Sequence, residues 1–431
     1  MHQKNCVEIL QDLIRFDTQN PPGNEVALVN YIHEYCEALE IRNDVYLYEG
    51  QRANIIIRIG QSTPDNLVVL GHTDVVRAKA EDWRFHPLEA HISEGYLYGR
   101  GALDMKYFIA AAMVVMRSLK ALETSLKRGM VFVFTADEET GSAYGLPRLL
   151  SEKGIAEELS HKLVLNEGGG FAVFHQDRCH YLFETGQKSV CRLRLTIPEE
   201  PDSNPYFHTT AHEAILVRAL DRLQKLVIDD DIPRTSRLLS EAFAEDPLYN
   251  THAMDGKLRT LIDTMSQSMI TPTIIHGGSR NPNLPAHIRA TIDLDCRLLP
   301  AITQEQFVHK IEAALEGLPV QLQVLSFSQG YEADIERKFI KLLELTLKKH
   351  DLGIDGLLPF ITPGSNDGKY LKPLGCEVLG FAPLHRDDTF TTIMPLIHGL
   401  NERISLKSIT FCEQVLHDVC VEYLTGDAYL G

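Results

Sequence analysis

The chain has 431 residues, enough for two domains of ordinary size, and its 44% apolar and 23% charged content is that of a globular protein. A formal net charge of -17 argues against nucleic acid or an anionic membrane as partner, since both require a basic face. Eight cysteines with no short Cys-x-x-Cys spacing read as reduced thiols, not as a disulfide frame or a cysteine-based zinc site.

The opening stretch MHQKNCVEILQDLIRFDTQNPPGNE lacks the apolar core of a signal peptide. An amphipathic helix is expected over 27–39, then buried strands at 54–59 and 67–71, an apolar helix over 106–123, and further strands at 130–134 and 162–166. The apolar run 108–116 is too short to span a bilayer, so a cytoplasmic protein is expected. Continuous apolar strands separated by helices indicate an α/β domain whose sheet is covered on both faces.

Near residue 189 the pattern changes. Segments 189–197, 287–298 and 320–327 alternate apolar and polar residues, as half-buried strands do, with helix patterns at 212–227 and 303–318 and room for another strand at 272–277. This order predicts a ferredoxin-like α+β lid inserted into the larger domain. From residue 331 the first pattern resumes, with a helix over 335–350, a strand at 376–381 and a closing helix over 411–424. The expected division is 1–188 and 328–431 for a discontinuous catalytic domain, with 189–327 as the insert.

Five turns at strand or helix edges carry the chemistry: GHTDVV with His72 and Asp74, GRGALDMK with Asp104, ADEETGS with Glu138 and Glu139, NEGGG with Glu167, and HGLNERI with His398. Each alone reads equally well as a capped, solvated or anion-binding turn. Together they suit a metal centre, because ligands collect at the carboxyl ends of strands in an open α/β sheet. Asp104, Glu139 and Glu167 bring three negative charges, which two divalent cations and one hydroxide balance to zero. His72 and Asp74, two apart in an extended segment, face the same way, so the carboxylate can orient the imidazole. Adjacent Glu138 and Glu139 point apart, so one can bind metal while the other moves protons.

In this order the five motifs, with FDTQNPPGNE near the start, resemble a di-zinc metallopeptidase and deacylase family. That family includes aminoacylase, acetylornithine deacetylase, succinyl-diaminopimelate desuccinylase, glutamate carboxypeptidase and carboxypeptidase S. The resemblance implies an α/β zinc-peptidase catalytic domain with a mixed, largely parallel sheet, and two Zn2+ ions, with Co2+ or Mn2+ as possible substitutes. It implies that Asp104 bridges the ions, that His72 and Glu167 complete one site, and that Glu139 and His398 complete the other. Glu138 would be the general base and later acid, and Asp74 the partner of His72.

By the same resemblance Arg297 and Asn283 in the insert, and the loop around Gly364, would hold the substrate. The family's Asn usually falls one position before Asn283, where this chain has Pro282. The Gly-His-x-Ser motif that many members use to reach a partner subunit is missing, and neither His208 nor His212 aligns in its place. The expected activity is cleavage of an amide bond beside a free carboxylate, in a small peptide or an N-acyl amino acid. The deacylase and peptidase forms stay open, as do a catalytically silent binding protein on the same fold and a monomer or lid-mediated homodimer.

Overall fold

The computed structural model describes residues 3–175, 177–198, 212–228, 232–244, 256–276, 288–334 and 338–426. Its frame is a ten-stranded mixed sheet. The neighbouring strands Glu377–Gly380, Leu163–Asn166, Leu67–His72 and Met130–Thr135 are parallel to one another. Antiparallel strands flank them, with Arg52–Ile59 and Arg42–Tyr48 on one side and Arg178–Gln187 on the other.

The apolar runs are unbroken because each face of the sheet meets a separate core. Leu67, Val69, Phe132 and Phe134 pack with the helix Lys106–Ala121. The alternate residues Val68, Leu70, Val131 and Val133 pack with Leu146, Leu149, Ile155 and Leu159 on the other face. A period of two thus fills both cores from one strand. The helix Lys106–Ala121 is itself sandwiched between Cys6–Arg15 and Leu406–Thr425, which is why its turns from Phe108 to Met116 are apolar on every side.

A second, four-stranded sheet is antiparallel throughout and runs in the order Met269–His276, Ile288–Leu298, Ser189–Pro198, Gln321–Ser328. The helix His212–Gln224 packs on it through Ala219 and Leu223, and the helix Gln304–Ala314 adds Phe307 and Ile311 to the same core. The strand order is that of a βαββαβ unit.

Two stretches depart from the sequence reading. Glycines after Glu167 do not form a loose turn; Gly169–His175 is a strand paired with Arg178–Gln187. Gly169 is required there, because a Cβ would lie 2.2 Å from the Gly380 carbonyl oxygen. The stretch between the helix at His212 and the strand at Met269 holds two helices, Arg234–Ala244 and Gly256–Ser266. They pack on the strand Gly356–Thr362 of the central sheet, placing Leu239, Leu261, Ile262 and Met265 in the main core. The helix expected over 335–350 is present from Lys338 to His350, and 335–337 lie outside the described residues. Among the described residues no helix is long and apolar enough to cross a membrane.

Candidate active site

The parallel strands deliver their carboxyl ends to one place. His72 is the last residue of Leu67–His72, Glu138 and Glu139 follow Met130–Thr135 in a short 3-10 turn, and Glu167 follows Leu163–Asn166. Asp104 stands two residues before the helix Lys106–Ala121, and His398 lies in the loop before Arg403–Ser405.

Asp104 divides its carboxylate between two imidazoles. His72 Nε2 lies 3.1 Å from Oδ1 and His398 Nε2 lies 3.0 Å from Oδ2. His72 Nε2 is also 3.5 Å from Glu167 Oε2, and His398 Nε2 is 3.1 Å from Glu139 Oε2. The five side chains read as ligands are therefore brought together. Glu138 stands with them, since His72, Glu138 and Glu167 offer ligand atoms within 4.8 Å of one another.

The three adjacent acids part company. Asp137, at a left-handed φ of 68°, turns to Arg52 at 3.1 Å and accepts from Asn20 Nδ2 and the Tyr144 N–H. Glu138 and Glu139 stay with the histidines. Asp74 faces His72, and its main chain comes nearer than its side chain. The closest acceptor to His72 Nδ1 is the Asp74 main-chain carbonyl at 2.9 Å, with the carboxylate at 3.5 Å. That carboxylate accepts the N–H groups of Glu138 and Glu139 at 3.1 and 3.2 Å, and Asn20 Nδ2 at 2.8 Å. The extended segment turns after His72, so a backbone carbonyl reaches the ring first while the side chain supports the neighbouring strand's turn.

The cluster strongly favours positive charge. Burial and the Glu167 charge push the Glu138 carboxyl well up, and burial and Asp104 push Glu139 up. Burial lifts Glu167 to about 7 against the pull of His72. Burial opposes the charge on His72, yet Glu167, Asp104 and Asp74 outweigh it and raise the ring well above its usual value. Hydrogen bonds to Asp104 and Glu139 raise His398 to about 10. Glu139 Oε1 is buried with no hydrogen-bond partner. Carboxylates gathered on two imidazoles, and a buried oxygen left unpaired, are the donor chemistry that divalent cations satisfy. The residues fit a pair of such ions.

A cavity of about 530 Å3 opens beside the cluster, and Asp104, Glu138, Glu139, Glu167 and His398 are among the residues that line it. Gly364 lines it, although its N–H is given to Thr362 Oγ1 at 3.2 Å. Arg297 stands behind that loop, donating from Nη1 to the Pro363 carbonyl at 3.3 Å while Nε meets Asp295 at 2.6 Å. Asn283 and His208 lie outside the described residues, as does the side chain of His212.

Sequence reasoning missed Glu402 and Arg100, although both fall inside quoted motifs. Glu402 is fully buried and accepts the N–H groups of Gly101, Leu103 and Asp104 at 3.1, 2.7 and 3.1 Å. Arg100 donates to Glu402 at 2.6 Å and to the carbonyls of His398 and Gly399 at 3.3 and 3.0 Å. Opposite charges in GRGALD and HGLNER were the available signal, but no local pattern pairs residues so far apart.

Residues 68–422 match the model of peptidase family M20/M25/M40. The chain belongs to this family. Along nearly its whole length it is similar to aminoacylase-1 of Homo sapiens, at 25% identity over 412 residues, covering 92% of this chain and 90% of that protein. It is 27% identical over 215 residues to a protein of Staphylococcus aureus strain Mu50 named "Probable succinyl-diaminopimelate desuccinylase", and spans about half of that relative (50% of each chain). The fold is that of the M20 family metallo-carboxypeptidase Sso-CP2 from Sulfolobus solfataricus, with a TM-score of 0.73 at 17% identity, covering 97% of this chain and 99% of that one.

Proposed function

We propose that this M20-family chain is a metal-dependent hydrolase that cleaves an amide bond beside a free carboxylate, as a peptidase or carboxypeptidase does. The observation that carries the reading is Asp104 with one oxygen on each of two histidines, flanked by Glu139 and Glu167. In this reading two zinc ions would share Asp104, with His72 and Glu167 to hold one and Glu139 and His398 to hold the other. Bound there, the ions supply Lewis-acid polarisation of the scissile carbonyl and an acidified water.

Glu138 is the proton carrier in this scheme. Its main-chain N–H is pinned by Asp74, which keeps the carboxyl beside the cluster. It takes a proton from the attacking water and delivers it to the departing nitrogen, so the acyl carbon gains OH and the amine gains H as the C–N bond breaks. Within segment 189–327 the four-stranded sheet and its helices serve as a lid, while Arg234–Ala244 and Gly256–Ser266 pack on the central sheet; Arg297, Asn283 and the Gly364 loop hold the substrate carboxylate, and the position of Arg297 behind Pro363 supports this. A second reading, an N-acyl amino acid deacylase, is favoured by the nearly full-length similarity to aminoacylase-1. Eight free, buried cysteines suit a cytoplasmic setting.

The test separates the two glutamates. Glu138→Gln should keep two bound metals while turnover on a panel of dipeptides and N-acyl amino acids falls about 10²–10⁴-fold. Glu139→Gln should lose metal as measured by elemental analysis. Identical metal content and turnover in the two variants would refute this division of roles.

A further inference from the structure

The cavity beside the cluster is lined mainly by apolar surface. Away from the carboxylates its wall is built from Phe171, Phe360, Leu261, Phe390, Ile393 and Met394. No lysine or arginine is among the described residues that line it. Glu184 does line it, buried, with its carboxyl accepting Asn366 Nδ2 at 2.9 Å. Part of this wall is contributed by Thr260, Leu261 and Thr264 of the helix Gly256–Ser266, which sits against the central sheet and not in the four-stranded one. Its companion helix Arg234–Ala244 is anchored to the central sheet, where the Thr235 N–H and hydroxyl both donate to Glu332 at 2.6 Å.

Resting on the hydrolase reading above, we infer that the substrate carries a bulky, uncharged apolar group next to the scissile amide, and that an anionic acyl group such as succinyl is excluded. An apolar chain removes this wall from water and gains with every methylene. A carboxylate placed against this wall loses its hydration and meets aromatic carbon in return. An acetyl group leaves most of the wall wet. The helix Gly256–Ser266, through Leu261 and Thr264, sets how large the apolar group can be.

The experiment uses the zinc-loaded full chain and N-acetyl, N-butanoyl, N-hexanoyl and N-succinyl derivatives of alanine, leucine and phenylalanine. The two arms separate an apolar acyl chain from an apolar side chain as the occupant. A rise in kcat/KM of roughly fourfold per methylene along either arm is expected, with succinyl at least about tenfold below butanoyl, its uncharged four-carbon counterpart. Thr264→Phe and Leu261→Trp should each cut the hexanoyl-to-acetyl ratio by about tenfold or more, a ratio that does not depend on the fraction of enzyme that is active. Acetyl or succinyl as the best acyl group in every arm overturns the inference while leaving the hydrolase reading intact. If nothing is hydrolysed, the hydrolase reading fails, and calorimetry with the same compounds decides this one. Affinity rising with apolar size supports it, and flat or succinyl-preferring binding overturns it.

Discussion

Glu402, 298 residues from Asp104 in sequence, ties the loop of Asp104 to the loop of His398 by accepting the Asp104 N–H while paired with Arg100. A carboxylate held this way orients a metal ligand without touching the metal, and removing such support typically costs about 10–100-fold in metal affinity. Glu402→Gln keeps the shape but loses the charge facing Arg100. Zinc affinity, measured by competition with a chromogenic chelator, should fall in that range, and an unchanged affinity would remove Glu402 from the positioning role. At this scale the sequence was legible for His72, Asp104, Glu139, Glu167 and His398, because their chemistry is unusual at the ends of apolar runs. Glu402 and Arg100 were silent, since a single buried pair has no period and its meaning lies entirely in what it faces. Asp74 shows the same limit: spacing put it beside His72, but only the turn of the chain decided that its carbonyl, not its carboxylate, comes nearer to Nδ1.

Among elements, the closing helix Leu406–Thr425 and the helix Lys338–His350 are joined through Asp418, which accepts from Lys349 at 2.6 Å, His350 at 3.0 Å and His417 at 3.0 Å. Burial works to raise the Asp418 pKa, but hydrogen bonds from Lys349, His417 and His350 outweigh it and hold it down to about 2. A pKa lower in the folded than in the unfolded chain stabilises above the unfolded value of about 3.9, and that stabilisation is lost as pH falls towards the folded value. Asp418→Asn should therefore lower the urea midpoint at pH 7 and at pH 5, with the gap to the wild type closing between about pH 4 and pH 2. A gap that stays constant down to pH 2 would show that the charge on Asp418 is not what joins the helices. The long apolar helix Lys106–Ala121 and the parallel strands were readable from pattern, because burial on all sides leaves a continuous apolar record. The strand Gly169–His175 was not, because it starts in glycines selected for close backbone approach and not for side-chain packing.

Across the whole molecule, the cluster joins residues from 72 to 398 whose carboxylates repel unless cations sit among them. Removing metal with a chelator should lower the thermal midpoint by several degrees, and added zinc should restore it. At a hundredfold excess over the dissociation constant each site contributes about 2.7 kcal/mol. A midpoint indifferent to both treatments would mean that no ion is held there. The order of apolar runs and acidic turns by itself determined the α/β frame, the second antiparallel sheet and the five side chains that converge, because burial and metal chemistry both restrict residue type along the chain. Where the helices Arg234–Ala244 and Gly256–Ser266 dock, and hence the apolar wall beside the cluster, was decided only in three dimensions. An amphipathic pattern shows that a helix is covered but not by what, because which sheet covers it depends on contacts between residues far apart in sequence.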